Sequence, residues 1–168
     1  MIKKFVPEYY FDTFDMATPE FLLSIGVKGV VLDVDNTLEP YEHPDPGEHV
    51  VAWLSALREN GISAAIVSNN NAARIDRFNS GLGLPAYYKA GKPFRKNVLR
   101  AISDMGTTPE TTILMGDQVF TDVWAAHNAG IRAILVPPIK DKRDPLTRFK
   151  RLLEKPVLKR YKKLHKED

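Results

Sequence analysis

Val30-Val31-Leu32-Asp33-Val34-Asp35-Asn36-Thr37-Leu38 is the stretch on which the fold turns. An apolar, β-branched run ends in two aspartates one residue apart. Alternate side chains of a strand point the same way, so Asp33 and Asp35 share one mouth if the strand continues. The chain more readily leaves the sheet there, at the carboxyl end where open α/β folds place their chemistry. Two crowded carboxylates repel each other and are costly unless a cation or a shared proton neutralises them. A hard divalent cation with oxygen ligands answers that need.

Working outward, apolar runs alternate with helical patterns. Val27 to Val34, Ile62 to Val67, Ala86 to Tyr88, Thr112 to Met115 and Ile131 to Val136 read as five strands. Thr18-Pro19-Glu20 opens a short helix before the first strand, with threonine as N-cap and proline at the first helical position, and Gly26 closes it. Asp45-Pro46-Gly47-Glu48 opens another, Asp45 capping and Glu48 completing a capping box. Further helices are expected over 72–79, from Lys92-Pro93-Phe94 to about Met105, and from about Thr121 to Asn128. Such alternation predicts an α/β fold, a five-stranded, mainly parallel sheet with helices on both faces. The expected organisation is one domain over 1–139, with a lead-in at 1–26, and a basic helical extension over 140–168.

Four sites then stand at strand ends: Asp33 with Asp35, Ser68, Lys92, and Asp117 with Asp122. Their residue types form one chemical set. A carboxylate can attack phosphorus and form an acyl phosphate. A second can protonate the leaving oxygen and then deprotonate water. A hydroxyl and an ammonium can hold phosphoryl oxygens, and further carboxylates can hold Mg²⁺. Taken singly these residues have ordinary uses: a helix cap, a turn serine, a solvated lysine, a loop acid.

The ordered set resembles the haloacid-dehalogenase (HAD) phosphatase superfamily, over about Val30 to Val136. The four motifs are Asp33-Val34-Asp35-Asn36-Thr37, Ser68 after an apolar strand, Lys92 in Lys92-Pro93, and Gly116-Asp117-Gln118-Val119-Phe120-Thr121-Asp122. The resemblance implies a Rossmann-like HAD fold, with Asp33 as nucleophile and Asp35 as general acid and base, its backbone carbonyl on the metal. It implies that Thr37 steadies the motif, that Ser68 binds the phosphoryl group with Asn69 as a backbone donor, and that Lys92 neutralises both phosphate and Asp33. Asp33, Asp35, Asp117 and Asp122 would hold Mg²⁺, the last directly or through water.

Only about six residues separate Leu38 from Asp45, and about nine separate Leu82 from Lys92. Neither gap holds a cap domain, so an open site is expected, suited to a phosphate carried on something large. Asp-x-Asp-Asn-Thr-Leu, Ser68-Asn69-Asn70, Lys92-Pro93 and Gly-Asp-Gln-x-x-Thr-Asp are similar to the capless HAD IIIA branch, and to its YqeG-type family related to mitochondrial phosphatidylglycerophosphatase. That resemblance implies hydrolysis of phosphatidylglycerophosphate or a related phosphomonoester. Protein, nucleotide and sugar phosphates stay open as substrates. So does a non-catalytic scaffold that binds RNA through the basic extension, although Phe149 and Tyr161 are few aromatics for base stacking.

The 168 residues contain no cysteine, which excludes disulfides, zinc-thiolate sites and cysteine nucleophiles. The start lacks the apolar run of a signal peptide, and no stretch approaches the ~20 apolar residues of a membrane span. A cytoplasmic location is expected, with peripheral attachment at the inner membrane face. Charge is uneven: 140–168 carries 12 Lys or Arg against 5 Asp or Glu, and the remainder 12 against 16. A basic extension on an acidic body suits a polyanionic partner, anionic lipid before nucleic acid. It holds two apolar sets, Leu146, Phe149, Leu152, Leu153 and Val157, Leu158, Tyr161, Leu164, with Pro156 between them as a break or a new first turn. His43, His49, His127 and His165 show no ligand spacing and read as surface or packing residues, as Trp53 and Trp124 read as packing. Tyr41 and His43 follow the first motif and are candidates to touch substrate. Arg95 and Lys96 are candidates for a second anionic group, against a simpler role as solvated charge.

Overall fold

Val30 and Leu32 face one side of the sheet and Val31 the other, and all three are fully buried, so the central strand is covered on both faces. The computed structural model describes residues 2–140 and 145–166. The strands are β1 (Tyr9–Tyr10), β2 (Gly29–Leu32), β3 (Ser63–Val67), β4 (Ala86–Tyr87), β5 (Thr112–Gly116) and β6 (Arg132–Leu135). They form one sheet in the order β1-β6-β5-β2-β3-β4, and every pair is parallel. The helices are α1 (Pro19–Ser24), α2 (Glu48–Glu59), α3 (Ala72–Asn79), α4 (Lys96–Asp104), α5 (Trp124–Asn128) and α6 (Pro145–Leu164).

The sheet has six strands where the sequence predicts five. The extra one, β1, is two tyrosines pairing with Ile134 and Leu135. Two residues carry no periodicity, so nothing local marks them as a strand. Chain order places β3 on one side of β2 and β5 on the other. This reversal opens a crevice at the carboxyl ends of β2 and β5, the position at which open α/β sheets bind ligands. One core layer packs α1, α2 and α3 on the sheet through Leu22, Trp53, Leu57, Ile75 and Phe78. The other packs α4, α5 and α6 through Val98, Ile102, Ala125 and Val157. The segment between Leu38 and α2 is a loop with no inserted domain.

Several local expectations shift. Thr18 caps α1 as expected, accepting the Phe21 N–H at 3.1 Å. Asp45, by contrast, does not cap α2. Gly47 occupies the N-cap, its N–H donates to Glu39 Oε1 at 2.8 Å, and Asp45 pairs with Arg77 at 3.1 Å. The buried Glu39 carboxylate thus takes the helix N-terminus and leaves Asp45 to solvent. The helix expected from Lys92 begins four residues later, as α4. Asn69 explains this: its amide accepts the Lys92 N–H at 2.8 Å and donates to the Lys92 carbonyl at 3.1 Å, holding that residue's backbone out of a helix. The helix expected from Thr121 opens as a π-turn over Val119–Val123 before α5. Pro156 neither breaks nor restarts the extension, and α6 runs through it. The proline ring is exposed while Glu154 and Val157 on either side are buried, so docking holds the helix across the missing N–H. The parts of the extension at 141–144 and 167–168 lie outside the described residues.

Candidate active site

Asp33 follows β2 directly, its N–H donating to the Met115 carbonyl of β5 at 3.0 Å. The carboxylate is buried. Oδ1 accepts from Lys92 Nζ at 3.0 Å, and Oδ2 lies 3.3 Å from the Thr37 hydroxyl. Thr37 Oγ1 is also 3.3 Å from Asp117 Oδ1. One hydroxyl proton serves two carboxylates, so at any moment one of them goes without it. Lys92 Nζ reaches across to Asp122 Oδ1 at 2.6 Å, and Asp122 Oδ2 accepts the Gln118 N–H at 3.0 Å. The π-turn makes that last bond possible by bringing Asp122 back over Gln118, a device common at functional sites.

Burial pushes the Asp33 carboxyl up to about 6, against the pull of Lys92 and with the push of the Asp122 charge. Burial, with the charges of Asp33 and Asp122, raises Asp117 well above the usual carboxylate range. Burial opposes the Lys92 charge, but Asp122 and Asp33 outweigh it and hold the ammonium above its ordinary value.

Asp35 stands apart from this cluster. Its Oδ2 accepts from Asn70 Nδ2 at 2.7 Å and its Oδ1 from Arg74 Nε at 3.0 Å. The backbone turns sharply next to it, with Asn36 at φ 61°. Ser68, at the end of β3, accepts the Asn70 N–H on Oγ at 3.1 Å, which leaves its own proton to donate into the cleft. Asn69 lines the cleft too, but its side chain is spent on the Lys92 backbone.

Asp33, Asp35, Ser68, Asn69 and Asp117 line a cleft of about 570 Å³, while Thr37, Lys92 and Asp122 are buried outside its lining. Sequence reasoning missed one whole wall of it. Leu146, Thr147, Lys150, Arg151 and Glu154 of α6 face Asp33 and Asp35 across the opening. Arg151 donates to Asp117 Oδ2 at 2.9 Å, to the Asp117 carbonyl at 2.8 Å and to Glu154 Oε2 at 2.9 Å. Glu154 Oε1 in turn accepts the Val119 N–H at 3.1 Å. The one available signal was an Arg-x-x-Glu pair on the otherwise apolar-and-basic extension.

Tyr41 lines the cleft, whereas His43 does not and pairs with Glu39 at 3.2 Å. Arg95 and Lys96 are exposed and lie outside the cleft lining, so the basic groups at its rim are Lys150 and Arg151 instead. The histidines pack: His127 joins Lys4 and Glu8, and His165 stacks on Tyr161. The tryptophans pack too, Trp53 donating to the Ala17 carbonyl and Trp124 meeting Phe5 edge-on.

A family model described as haloacid dehalogenase-like hydrolase matches residues 27–136, the whole span from the approach to β2 through the end of β6. The chain belongs to that family. It is 37% identical over 164 residues to a Bacillus subtilis protein named probable phosphatase YqeG, covering 97% of this chain and 95% of the other. Among solved structures it resembles the cobalt-bound deoxy-D-mannose-octulosonate 8-phosphate phosphatase of Haemophilus influenzae. That match has a TM-score of 0.54 at 16% identity and covers 67% of this chain and 80% of the other. An uncharacterized protein from Listeria monocytogenes serotype 4b gives 0.55 at 20% identity, covering 71% and 85%. These two likenesses are of fold.

The donor set of this HAD-like site fits a hard divalent cation. One carboxylate oxygen from each of Asp33, Asp117 and Asp122 lies within 4.8 Å of the others, and all three residues are buried. Asp35 contributes no side-chain oxygen to this cluster among the described residues.

Proposed function

We propose that this chain is a Mg²⁺-dependent phosphomonoester hydrolase that works through an aspartyl phosphate on Asp33, with phosphatidylglycerophosphate as its substrate. The observation that carries the reading is Asp33 itself: a buried carboxylate held by one ammonium, with two further carboxylates in metal-ligand range. Asp33, Asp117 and Asp122 would hold the metal, joined by the Asp35 backbone carbonyl. When bound, the metal screens the charge of nucleophile and phosphate from each other.

In the first step an Asp33 oxygen bonds phosphorus and the ester P–O bond breaks. The leaving oxygen takes a proton from Asp35. Each oxygen of Asp35 keeps a lone pair beyond its bond to Asn70 or Arg74, and the transferred proton resides there. In the second step Asp35 takes a proton from water, which attacks phosphorus and frees Asp33 and inorganic phosphate. The Ser68 hydroxyl and the Lys92 ammonium hold the phosphoryl oxygens through both steps. The open cleft supports a bulky alcohol half, and the basic groups of α6 at its rim favour one that carries a second phosphate.

The test is phosphate release from phosphatidylglycerophosphate in anionic vesicles beside a panel of soluble phosphomonoesters, with Mg²⁺ and with chelator, and with Asp33→Asn as control. The reading expects the lipid to be the fastest substrate, and chelator or the substitution to stop turnover. Equal sluggishness on every ester removes the lipid assignment. Turnover by the Asp33→Asn protein removes the nucleophile.

A further inference from the structure

The first half of α6 is packed the wrong way round for a helix that covers a core. Its inward side is polar, with Thr147, Arg151 and Glu154 meeting the carboxyl edge of the sheet, and Leu146, Phe149, Leu152 and Leu153 are left 63%, 57%, 56% and 46% exposed. Only in the second half do apolar residues turn in, Val157 buried with Leu158 and Tyr161 against it. The Tyr161 hydroxyl accepts the Tyr10 N–H at 3.1 Å and fixes the helix to β1. The helix is therefore anchored and still presents four large apolar side chains outward. It carries eight Lys or Arg and one acidic residue, and that residue, Glu154, is buried. Leu146 belongs both to this ridge and to the cleft wall, so the ridge runs up to the mouth of the site.

We propose that this outward face of α6 docks on an anionic lipid bilayer. Phe149, Leu152 and Leu153 enter the headgroup boundary, the surrounding Lys and Arg meet lipid phosphates, and the cleft opens at headgroup level. An apolar ridge inside a basic field is the pattern of a helix lying in a membrane interface. A second copy of this chain fits poorly, since a twofold contact would press the two basic rims together. RNA fits poorly as well: the ridge is leucine with one phenylalanine, and Tyr161 is committed to β1 and His165. The docking surface deepens the lipid-phosphatase reading but is testable without it.

The experiment is sedimentation of the full chain with vesicles of phosphatidylcholine alone and of phosphatidylcholine mixed with phosphatidylglycerol, neither containing a phosphomonoester. Phe149→Gln/Leu152→Gln keeps good helix formers at two positions outside the site. Expected are selective binding to the anionic vesicles that weakens with salt, and a loss of at least about tenfold in the double variant. Hydrolysis of a soluble ester should stay within about twofold. Equal binding to both vesicle types overturns the proposal, as does a double variant that sediments like the parent. Concentration-dependent dimerisation lost in the double variant also overturns it, in favour of a second copy. Displacement from vesicles by RNA that the double variant still binds assigns the face to nucleic acid and overturns it too. Vesicle binding without hydrolysis of the lipid phosphate leaves docking in place and removes only the substrate.

Discussion

Gly116 closes β5 with its back against Asp122, and replacing it with alanine should disable the site without replacing any group that reacts or holds metal. A Cβ built on Gly116 meets the Cβ, Cγ and Oδ2 of Asp122 well inside 3.0 Å, a separation real Cβ atoms essentially never show. Neither partner gives easily. Gly116 is registered against Leu135, and its carbonyl accepts the Val136 N–H at 3.0 Å. Asp122 is held by Lys92 at 2.6 Å and by the Gln118 N–H at 3.0 Å. The side chain has to withdraw by roughly 1 Å, and a misplacement of that size costs on the order of 10²-fold in rate. Overpacking adds about 1–3 kcal/mol of destabilisation, a fall of several degrees in Tm for a domain of this size. The assay is kcat/KM on a soluble phosphomonoester at saturating Mg²⁺, run well below the new Tm, with calorimetric Mg²⁺ affinity beside it. A folded Gly116→Ala protein with parental kcat/KM and parental metal affinity refutes the claim that this contact sets the place of Asp122.

Four further outcomes follow from the charges. Lys92→Met leaves Asp33 and Asp122 buried without their shared cation, so metal-free stability in urea should drop by about 3–5 kcal/mol and turnover should vanish; a small drop would mean the carboxylates find another partner. Metal binds ionised carboxylates, and burial raises Asp33 to about 6, so Mg²⁺ affinity should fall about tenfold from pH 7.5 to pH 5 for this group alone. In the metal-free fold the same raised carboxyl lowers stability as pH rises from about 4 through 6, which urea melts across that range read; isothermal titration at pH 7.5 and pH 5 checks the affinity, and a flat affinity contradicts it. Arg151→Met should lower the metal-free unfolding free energy through the Asp117 pair, by about 1–3 kcal/mol after discounting for its partial exposure, and saturating Mg²⁺ should narrow the gap in urea melts. A gap indifferent to Mg²⁺ would reduce Arg151 to a clamp on α6.

The central strands were legible because burial on both faces forces continuous apolar runs, and Val30 to Leu32 and Thr112 to Met115 could be little else. The site was legible for a related reason. Polar residues at the ends of such runs have few innocent uses once four of them recur in order, and the structure brings Asp33, Lys92, Asp117 and Asp122 into one hydrogen-bonded group. What was not legible depended on partners distant in the chain. Asp45 looked like a cap because its competitor, Glu39, claims the Gly47 N–H only after the intervening loop folds back. Lys92-Pro93 looked like a helix start because the clamp from Asn69 is 23 residues upstream. Arg151 had only Glu154 three residues on as a local sign, since its partner Asp117 is 34 residues away.

The inverted packing of α6 follows from the same electrostatics that built the site. The carboxyl end of β5 presents Asp117, whose carboxylate and carbonyl both need donors, and no apolar helix face could cover them without a large desolvation penalty. Whatever segment closes this side must turn charge inward. Arg151 supplies the donors, and Glu154 fixes the arginine while satisfying the Val119 N–H of the π-turn. With its polar positions committed inward, an amphipathic helix has only the outside left for its leucines and Phe149. The price of satisfying the metal-ligand edge is thus an exposed apolar ridge beside the cleft. Such a ridge is a liability in water unless something apolar meets it. A bilayer edge removes that liability and delivers the phosphate in one encounter, so the wall of the active site and the surface that finds the substrate are two sides of one helix.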